Sequence, residues 1–211
     1  MKKLYVVASP IGNLKDITLR ALEVLKEVEV VLAEDTRVTK KLLFHYGISK
    51  PVVRYVYGKD FSRYDSIALV TDAGTPIVSD PGENLVKDLL KNGFEVIPIP
   101  GPSALTSLIS SSDISLSDFL FLGFPPSKKG RNKFFAKMAG SEYPVVLFES
   151  PHRILKTLDE IYEAAGDRYI NIGREMTKIY EEIFRGDVSE ALAHFKSKKV
   201  QGEFVIIVDT K

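Results

Sequence analysis

Charged side chains follow directly after short apolar runs at several places in this sequence. Glu34, Asp35 and Arg37 come after the apolar run of residues 28–33. Two adjacent carboxylates at the end of a buried strand cost desolvation free energy unless they are paired or hydrogen-bonded. Arg37 can supply a pair, and Asp35 can cap the helix that follows. The alternative is a charged wall that engages a substrate or takes a proton from a hydroxyl group.

The segment of residues 71–82 is too long and too rich in Gly, Pro and Asp for a simple connection, which usually takes about 2–6 residues. Gly74 would let the backbone approach a ligand closely, and the carboxylates of Asp72 and Asp80 can accept hydrogen bonds. Neither the glycine fingerprint of dinucleotide binding nor a Walker loop occurs in the sequence. Dinucleotides and nucleoside triphosphates are therefore disfavoured as ligands.

Two other loops carry weaker signals. Residues 9–14 follow the first apolar run, and Gly12-Asn13 permits a turn with positive φ, although an ordinary β–α turn explains the segment equally well. Residues 98–104 place a glycine between two prolines. Ser103 and the free N–H groups at the start of the next helix can bind a carboxylate.

The second half of the sequence contains a basic loop at residues 123–131, with Lys128, Lys129 and Arg131. A solvated surface is the ordinary explanation for such a loop, and a surface for nucleic-acid phosphates is the functional one. Charged residues also occur at predicted strand ends in residues 148–153 and 174–182. In residues 202–208, a Gly-Glu pair precedes a buried strand.

Composition narrows the kind of protein. The 211 residues include no cysteine and three widely spaced histidines, and the formal net charge is +1. Disulfides, thiol nucleophiles and cysteine-ligated metals are excluded, and chemistry without a metal is favoured. No apolar run approaches the roughly 20 residues of a membrane span, and the basic, apolar start is too short for a signal peptide. We therefore expect a soluble, cytoplasmic protein.

Strands and amphipathic helices alternate along the sequence, which predicts an α/β fold with mostly parallel pairing. A serine-rich stretch at residues 110–117 is the best linker. We predict two α/β domains, residues 1–112 and 113–211, with mixed, mostly parallel sheets and a ligand cleft between them. Strands at residues 183–186 and 204–208 are predicted to pair antiparallel, because only one short helix separates them.

Eight segments in order span almost the whole sequence: SPIGNL, AEDTR, TDAGTPIVSDPG, IPGPSA, GFPPSKKG, ESPHR, REMTKIYEE and GEFVIIV. Together they resemble the ribosomal RNA 2′-O-ribose methyltransferases that use S-adenosylmethionine (SAM) to modify a decoding-centre cytidine, a branch of the tetrapyrrole methylase fold. The resemblance implies SAM bound between two α/β domains, a homodimer, and small-subunit ribosomal RNA or the assembled small subunit as partner.

Site residues follow from this resemblance and from the loops above. The residues expected around SAM are Pro10, Asp72, Ala73, Gly74, Ile77, Val78, Ser79, Ser103 and Ala104 in the first half, and Phe148, Met176, Gly202, Glu203 and Phe204 in the second. Lys128, Lys129 and Arg131 are expected to contact RNA. The catalytic candidates are Glu34, Asp35, Glu175 and Lys178, one of which would take the proton, and Arg37, which with Arg131 would hold phosphate.

Residues 57–65 depart from the family pattern, because they are too short for the helix that relatives carry there. Two alternative functions stay open at this point. One is a tetrapyrrole methylase acting on a corrin precursor, which would share the SAM site but would not need the basic loop. The other is a SAM-binding module without catalysis.

Overall fold

The chain divides into two compact units, one spanning Met1–Ser103 and one that begins at Ala104. The computed structural model describes residues 1–198 and 200–210. The domain boundary predicted near residue 113 lies further along the chain than this division, inside the second unit. Each unit is built around its own five-stranded sheet.

The first unit alternates strands and helices. Its elements are β1 (Lys3–Val7), α1 (Leu19–Glu27), β2 (Val30–Ala33), α2 (Thr36–His45), β3 (Val52–Arg54), β4 (Ser66–Val70), α3 (Glu83–Lys91) and β5 (Glu95–Ile99). The hydroxyl of Thr18 accepts a hydrogen bond from the Ala21 N–H and so caps α1. All four residues of β2 are buried, as expected for a strand covered on both faces.

All four strand pairings of this sheet are parallel, in the order β3-β2-β4-β1-β5. One face of the sheet packs with Ala21 and Leu25 of α1 and with Leu42 of α2. The other face packs against Leu85 and Leu89 of α3. Because every strand points the same way, the loops that follow β1, β2, β4 and β5 lie at one edge of the sheet.

No helix connects β3 to β4. In its place, the short segment inserts Phe61 into the core, where the side chain is 2% exposed and joins Leu85, Leu89 and Phe94. One aromatic side chain therefore covers part of this sheet face.

The second unit has a mixed sheet. Its elements are α4 (Ala104–Ile109), β6 (Leu120–Gly123), α5 (Arg131–Ala139), β7 (Val145–Glu149), α6 (Ile154–Ala165), β8 (Tyr169–Arg174), β9 (Glu182–Asp187), α7 (Val188–Lys196) and β10 (Phe204–Val208). The strand order is β6-β7-β10-β8-β9, and only β6 and β7 pair in parallel. The prediction of two α/β domains with mixed, mostly parallel sheets is confirmed.

The prediction that the last two strands pair with each other is wrong. β10 lies between β7 and β8, and β9 pairs with β8 at the edge. Burial explains the difference, because all five residues of β10 are buried whereas only one of the six residues of β9 is. A strand that is apolar on both faces belongs in the middle of a sheet.

The core of the second unit is formed by one face of its sheet and by helices α5, α6 and α7. Leu147, Ile172 and Ile206 alternate with outward-facing neighbours along three adjacent strands of that face. On the other face, α4 packs against β8 and β10. In the part of the chain that the structure describes, no helix is long and apolar enough to span a bilayer.

Candidate functional site

Two loops at the carboxyl edge of the first sheet are joined through their backbones. Ser9, after β1, and Gly74, after β4, exchange N–H···O hydrogen bonds of 2.8 and 3.0 Å. The Ser9 hydroxyl also donates to the Thr71 carbonyl at 3.0 Å, and Ser9 is buried. Pro10 stands beside this bridge in the sequence. The loops of two adjacent strands therefore act as one unit, as their position at the strand ends predicts.

Gly74 brings the third loop into the same assembly. Its φ is +80°, and a Cβ built on it would lie 3.3 Å from Ile11 Cγ2 and 3.8 Å from the Pro102 carbonyl. The Thr75 hydroxyl donates to that same carbonyl at 3.2 Å. Asp72 and Ala73, just before Gly74, are exposed. A tight backbone cradle with exposed polar groups is suited to a polar small molecule.

The loop after β2 completes the edge. The Asp35 N–H donates to Asp72 Oδ1 at 3.0 Å, and the Thr71 hydroxyl donates to Glu34 Oε2 at 3.0 Å. The structure thus places the catalytic candidate Glu34 next to Asp72, which we expect near the cofactor.

Asp35 and Arg37 form a local pair. The Asp35 carboxylate accepts from the Arg37 backbone N–H at 2.8 Å, as a helix cap, and from its guanidinium at 2.5 Å. The hydrogen bond from the Arg37 side chain is the main reason that the pKa of Asp35 falls to about 2. The cap explains Asp35 without a ligand, whereas the exposed Arg37 guanidinium has donors left for a phosphate.

Asp80 is a functional candidate that was not among the predicted site residues. Burial raises the pKa of its carboxyl group, and the nearby charges of Glu34 and Asp72 raise it further. A hydrogen bond with Thr71 acts in the opposite direction. A carboxyl group with a raised pKa beside other carboxylates is a typical feature of catalytic sites. Asp80 belongs to the segment SDPG, whose composition indicated a functional loop. Only the fold, however, brings Asp80 close to Glu34.

Left-handed backbone occurs at three non-glycine residues among those described: Ile77 (φ 75°), Glu175 (φ 49°) and Thr177 (φ 68°). Such a conformation is most unusual for a β-branched residue. All three lie in or between segments predicted to hold the cofactor. Strained backbone concentrates at functional sites, which agrees with that prediction.

Three of the predicted residues of the second unit form an ion-pair cluster. Lys178 Nζ lies 2.8 Å from Glu175 Oε1 and 3.1 Å from Glu203 Oε2. Backbone bonds reinforce the pairs, since the Glu175 N–H donates to the Glu203 carbonyl at 3.0 Å. The Glu203 N–H donates in return to Glu175 Oε1 at 3.1 Å. The cluster joins the segment after β8 to the entry of β10.

Electrostatics favour a positioning role for Lys178. Burial opposes its charge, but the hydrogen bonds to Glu175 and Glu203 outweigh burial and raise the pKa of Lys178. Burial likewise opposes the charge of Glu175, but Lys178 and the Glu203 N–H lower the pKa of that carboxyl. Near neutral pH the lysine keeps its proton, and a protonated amine cannot accept another.

Met176 is buried between the strained residues Glu175 and Thr177. Gly173 makes room for it, because a Cβ on Gly173 would lie 2.6 Å from Met176 Sδ. Gly202, with φ +93°, is equally restricted, because a Cβ there would overlap the Glu175 side chain. The predicted residues Met176, Gly202 and Glu203 therefore share one tightly fitted corner of the unit.

The other predicted residues of this unit divide by exposure. Phe148 is half-buried, and Phe204 is buried in the core. Lys128 and Lys129 are exposed, as an RNA contact requires. Arg131 differs, because it is 5% exposed, pairs with Glu160 and donates to the Thr157 hydroxyl at 2.9 Å. The structure thus gives Arg131 a role inside the unit, where its guanidinium is not available to a phosphate.

No group of three or more potential metal ligands of the His, Cys, Asp and Glu types comes together among the described residues.

Known proteins resemble this chain along almost its whole length. The family model of the tetrapyrrole (corrin/porphyrin) methylases matches residues 3–192. A ribosomal RNA small subunit methyltransferase I of Thermotoga maritima is 46% identical, with 100% of each chain covered. Proteins of the same name from Borrelia garinii and Bacillus subtilis are 45% and 40% identical, over 97% and 98% of this chain and 97% and 74% of theirs. The resemblance inferred from the eight motifs is confirmed.

Solved structures agree on the fold. A cobalt precorrin-4 methyltransferase superposes with a TM-score of 0.69 at 18% identity, covering 98% of this chain and 94% of its own. A putative diphthine synthase from Entamoeba histolytica superposes with a TM-score of 0.72 at 16% identity, covering 100% and 94%. At these identities the similarity concerns the fold alone.

Proposed function

We propose that this chain, which belongs to the tetrapyrrole methylases and within them to the ribosomal RNA small subunit methyltransferase I group, transfers a methyl group from SAM to the ribose 2′-hydroxyl of a cytidine in small-subunit (16S) ribosomal RNA. The observation that carries the proposal is the 46% identity to the Thermotoga maritima methyltransferase over the full length of both chains. No observation favours a corrin precursor, because the precorrin enzyme shares 18% identity and hence only the fold.

SAM, when bound, supplies an electrophilic methyl group on a positively charged sulfur. In the first unit, we propose that the backbone of Asp72, Ala73 and Gly74 and the residues Ile77, Val78 and Ser79 hold it, together with Pro10, Ser103 and Ala104. In the second unit we propose Phe148, Met176, Gly202, Glu203 and Phe204. The backbone bridge at Gly74 and the ion pairs of Lys178 support these assignments, because each holds its loop in one conformation.

Methyl transfer from sulfur is an in-line displacement, so positioning contributes most of the acceleration. The ribose oxygen forms its bond to the methyl carbon while the carbon–sulfur bond breaks, and the hydroxyl proton must leave. We assign the role of proton acceptor to one of the two carboxylates beside Thr71, which are those of Glu34 and Asp80. The raised pKa of Asp80 makes it the better base of the two, since a base is most effective when its pKa approaches the working pH.

The remaining parts of the proposal concern the partners. We propose that the protein works in the cytoplasm as a homodimer, on ribosomal RNA or the assembled small subunit. Lys128 and Lys129 are exposed and can contact phosphates, and Arg37 can do the same. Sedimentation equilibrium tests the dimer directly, and a monomeric mass at micromolar concentration would contradict that part.

The decisive experiment incubates the protein with SAM labelled in the methyl group and either small ribosomal subunits lacking the modification or a porphyrinogen. We expect label in the RNA, at a cytidine whose 3′-phosphodiester bond resists alkaline hydrolysis because its 2′-oxygen is methylated. Label in the porphyrinogen would support the corrin alternative, and label in neither would favour a binding module.

The assignment of the base needs its own variants. In single turnover, Asp80→Asn and Glu34→Gln should slow methyl transfer, by about 100-fold for the true base. Asp35→Asn is the matched control, because an asparagine retains the helix cap and should leave the rate nearly unchanged. Full rates for both Asp80→Asn and Glu34→Gln would exclude these carboxylates as the base.

A further inference from the structure

One loop of the second unit exposes an aromatic ring at its surface. Phe124, in the connection between β6 and α5, is 49% exposed. Phe148 supports it from one side, with the two rings edge to face and their centroids 5.4 Å apart. Phe121 contacts Phe148 in the same manner at 5.2 Å. The exposed ring is therefore the outermost member of an aromatic group whose other members are half-buried.

The segment that begins with this ring is positively charged. The segment of residues 124–140 contains no acidic residue, and the lysines at positions 128, 129, 133 and 137 are all exposed. An aromatic ring within a purely basic segment is complementary to a polyanion that also has flat apolar faces. Nucleic acid has both properties.

The loop is held at its base by two arginines. Arg153 Nη1 donates to the Pro125 carbonyl at 3.1 Å, and Arg131 Nη1 donates to the Pro126 carbonyl at 3.0 Å. Pro125 and Pro126 are the two residues that follow Phe124 in the chain. Consecutive prolines and two charge-assisted hydrogen bonds leave the loop little conformational freedom.

The two arginines are themselves connected inside the unit. Arg153 pairs with the buried carboxylate of Glu149 at 2.8 Å. Thr157 donates to the other oxygen of that carboxylate at 2.6 Å and accepts from Arg131 at 2.9 Å. A closed polar ring therefore holds both prolines in place. A rigid aromatic platform binds a base at little cost in conformational entropy.

We propose that Phe124 is a stacking platform for an unpaired base of the RNA substrate, while Lys128 and Lys129 hold the flanking phosphates. The inference rests on the proposed function and deepens it, because it assigns the recognised element to single-stranded RNA. Bases in a duplex are stacked on their neighbours and cannot present a face to the ring. In this arrangement Arg131 and Arg153 are positioning residues that fix the platform.

Binding of a short unpaired RNA oligonucleotide, without SAM, tests the proposal. Alanine substitution at a stacking aromatic weakens binding by about 5- to 150-fold, and we expect a value in this range for Phe124→Ala. Phe124→Trp, which keeps a stacking face, should bind nearly as well as the original protein. Tyr162→Ala is the matched control, because Tyr162 lies on α6 of the same unit and is 46% exposed. This substitution should leave the affinity for the RNA unchanged.

The lysines have a separate signature. Replacing Lys128 and Lys129 by glutamine should reduce the salt dependence of binding, making the negative slope of log K against log salt shallower by about 1.4 for single-stranded RNA. Phe124→Ala should leave this slope unchanged, because stacking releases no counterions.

Three outcomes would overturn the inference: equal affinity of Phe124→Ala and the unsubstituted protein, equal loss in Tyr162→Ala, or equal loss on a perfect RNA duplex. Circular dichroism melting verifies that each variant is folded, and Phe124→Leu separates loss of the ring from loss of apolar surface. Failure of the proposed function can be distinguished from failure of this inference. If the unsubstituted protein transfers no label to small subunits yet stacks RNA through Phe124, the function fails and the platform stands.

Discussion

The two units hold their candidate site loops by different means. At the edge of the first sheet, Ser9 and Gly74 are joined by reciprocal backbone hydrogen bonds. In the second unit, the corresponding loops are held by charged side chains. Lys178 lies between Glu175 and Glu203, and Arg153 lies against the buried Glu149. The first arrangement depends on strand direction and glycine, and the second on the identity of individual charges.

This difference has consequences for stability. A backbone bridge survives the replacement of most side chains and does not titrate. A buried charge pair becomes a liability when one partner is removed, because the remaining charge is left without compensation. We therefore expect the second unit to be the more sensitive to substitution and to pH.

The largest effect is expected at Glu149, whose side chain is inaccessible to solvent. Glu149→Leu removes the carboxylate that pairs with Arg153 Nη2 and accepts from the Thr157 hydroxyl, and should cost about 3 kcal/mol of unfolding free energy or more. Ser9→Ala is the counterpart in the first unit. It removes one hydroxyl donor, which should cost about 1 kcal/mol. Urea unfolding followed by circular dichroism measures both, and equal losses would contradict the comparison.

Glycine substitutions test the same contrast at smaller magnitude. Gly202→Ala forces a Cβ into the Glu175 side chain at φ +93°, and should cost about 2 kcal/mol. Gly74→Ala would bring its Cβ to 3.3 Å from Ile11 Cγ2 and into ordinary contact with the Pro102 carbonyl, and should cost about 1 kcal/mol. Glu175→Ala combined with Gly202→Ala should be less harmful than the sum of the two, because the clash is gone. Strict additivity in thermal melts would show that Glu175 does not cause the loss.

Lys178 allows positioning to be separated from proton transfer. Lys178→Met should weaken SAM binding about 10-fold by calorimetry, because it frees the strained turn at Glu175 and Thr177, whereas Lys178→Arg should retain most of the affinity. The pH at which the methyl-transfer rate reaches half its maximum should be the same in the unsubstituted protein and in both variants. A shift of that pH in Lys178→Arg would mean that the lysine takes part in the proton transfer.

The smallest change in unfolding free energy is expected at Asp80, where the substitution should stabilise the protein rather than destabilise it. The raised pKa means that the folded protein binds this proton more tightly than the unfolded chain, so stability falls as the pH rises above the ordinary value of 3.8. Asp80→Asn removes that loss and should stabilise the protein at pH 7 by about 0.5 kcal/mol, while methyl transfer slows. Near pH 3 the gain should vanish. A gain that is independent of pH would show that charge is not its cause.

The first unit was more predictable from sequence than the second, for a physical reason. In a parallel sheet the strand ends must lie at one edge, so the meeting of Glu34, Asp72 and Gly74 follows from element order. In the mixed sheet, strand order depends on which strand is most deeply buried, and the position of β10 was mispredicted for that reason. A basic run also carries no sign of which member is buried, and Arg131 could not be distinguished from Lys128 and Lys129.

The central position of β1 bears on how the chain acquires its structure during synthesis. β1 (Lys3–Val7) leaves the ribosome well before its two neighbours in the sheet, β4 (Ser66–Val70) and β5 (Glu95–Ile99). Its apolar side chains stay without their final contacts until the whole first unit has been translated. Because such long-range pairing is slow and exposes strand edges, a nascent chain paused before β5 should be the species most prone to aggregate and to need a chaperone.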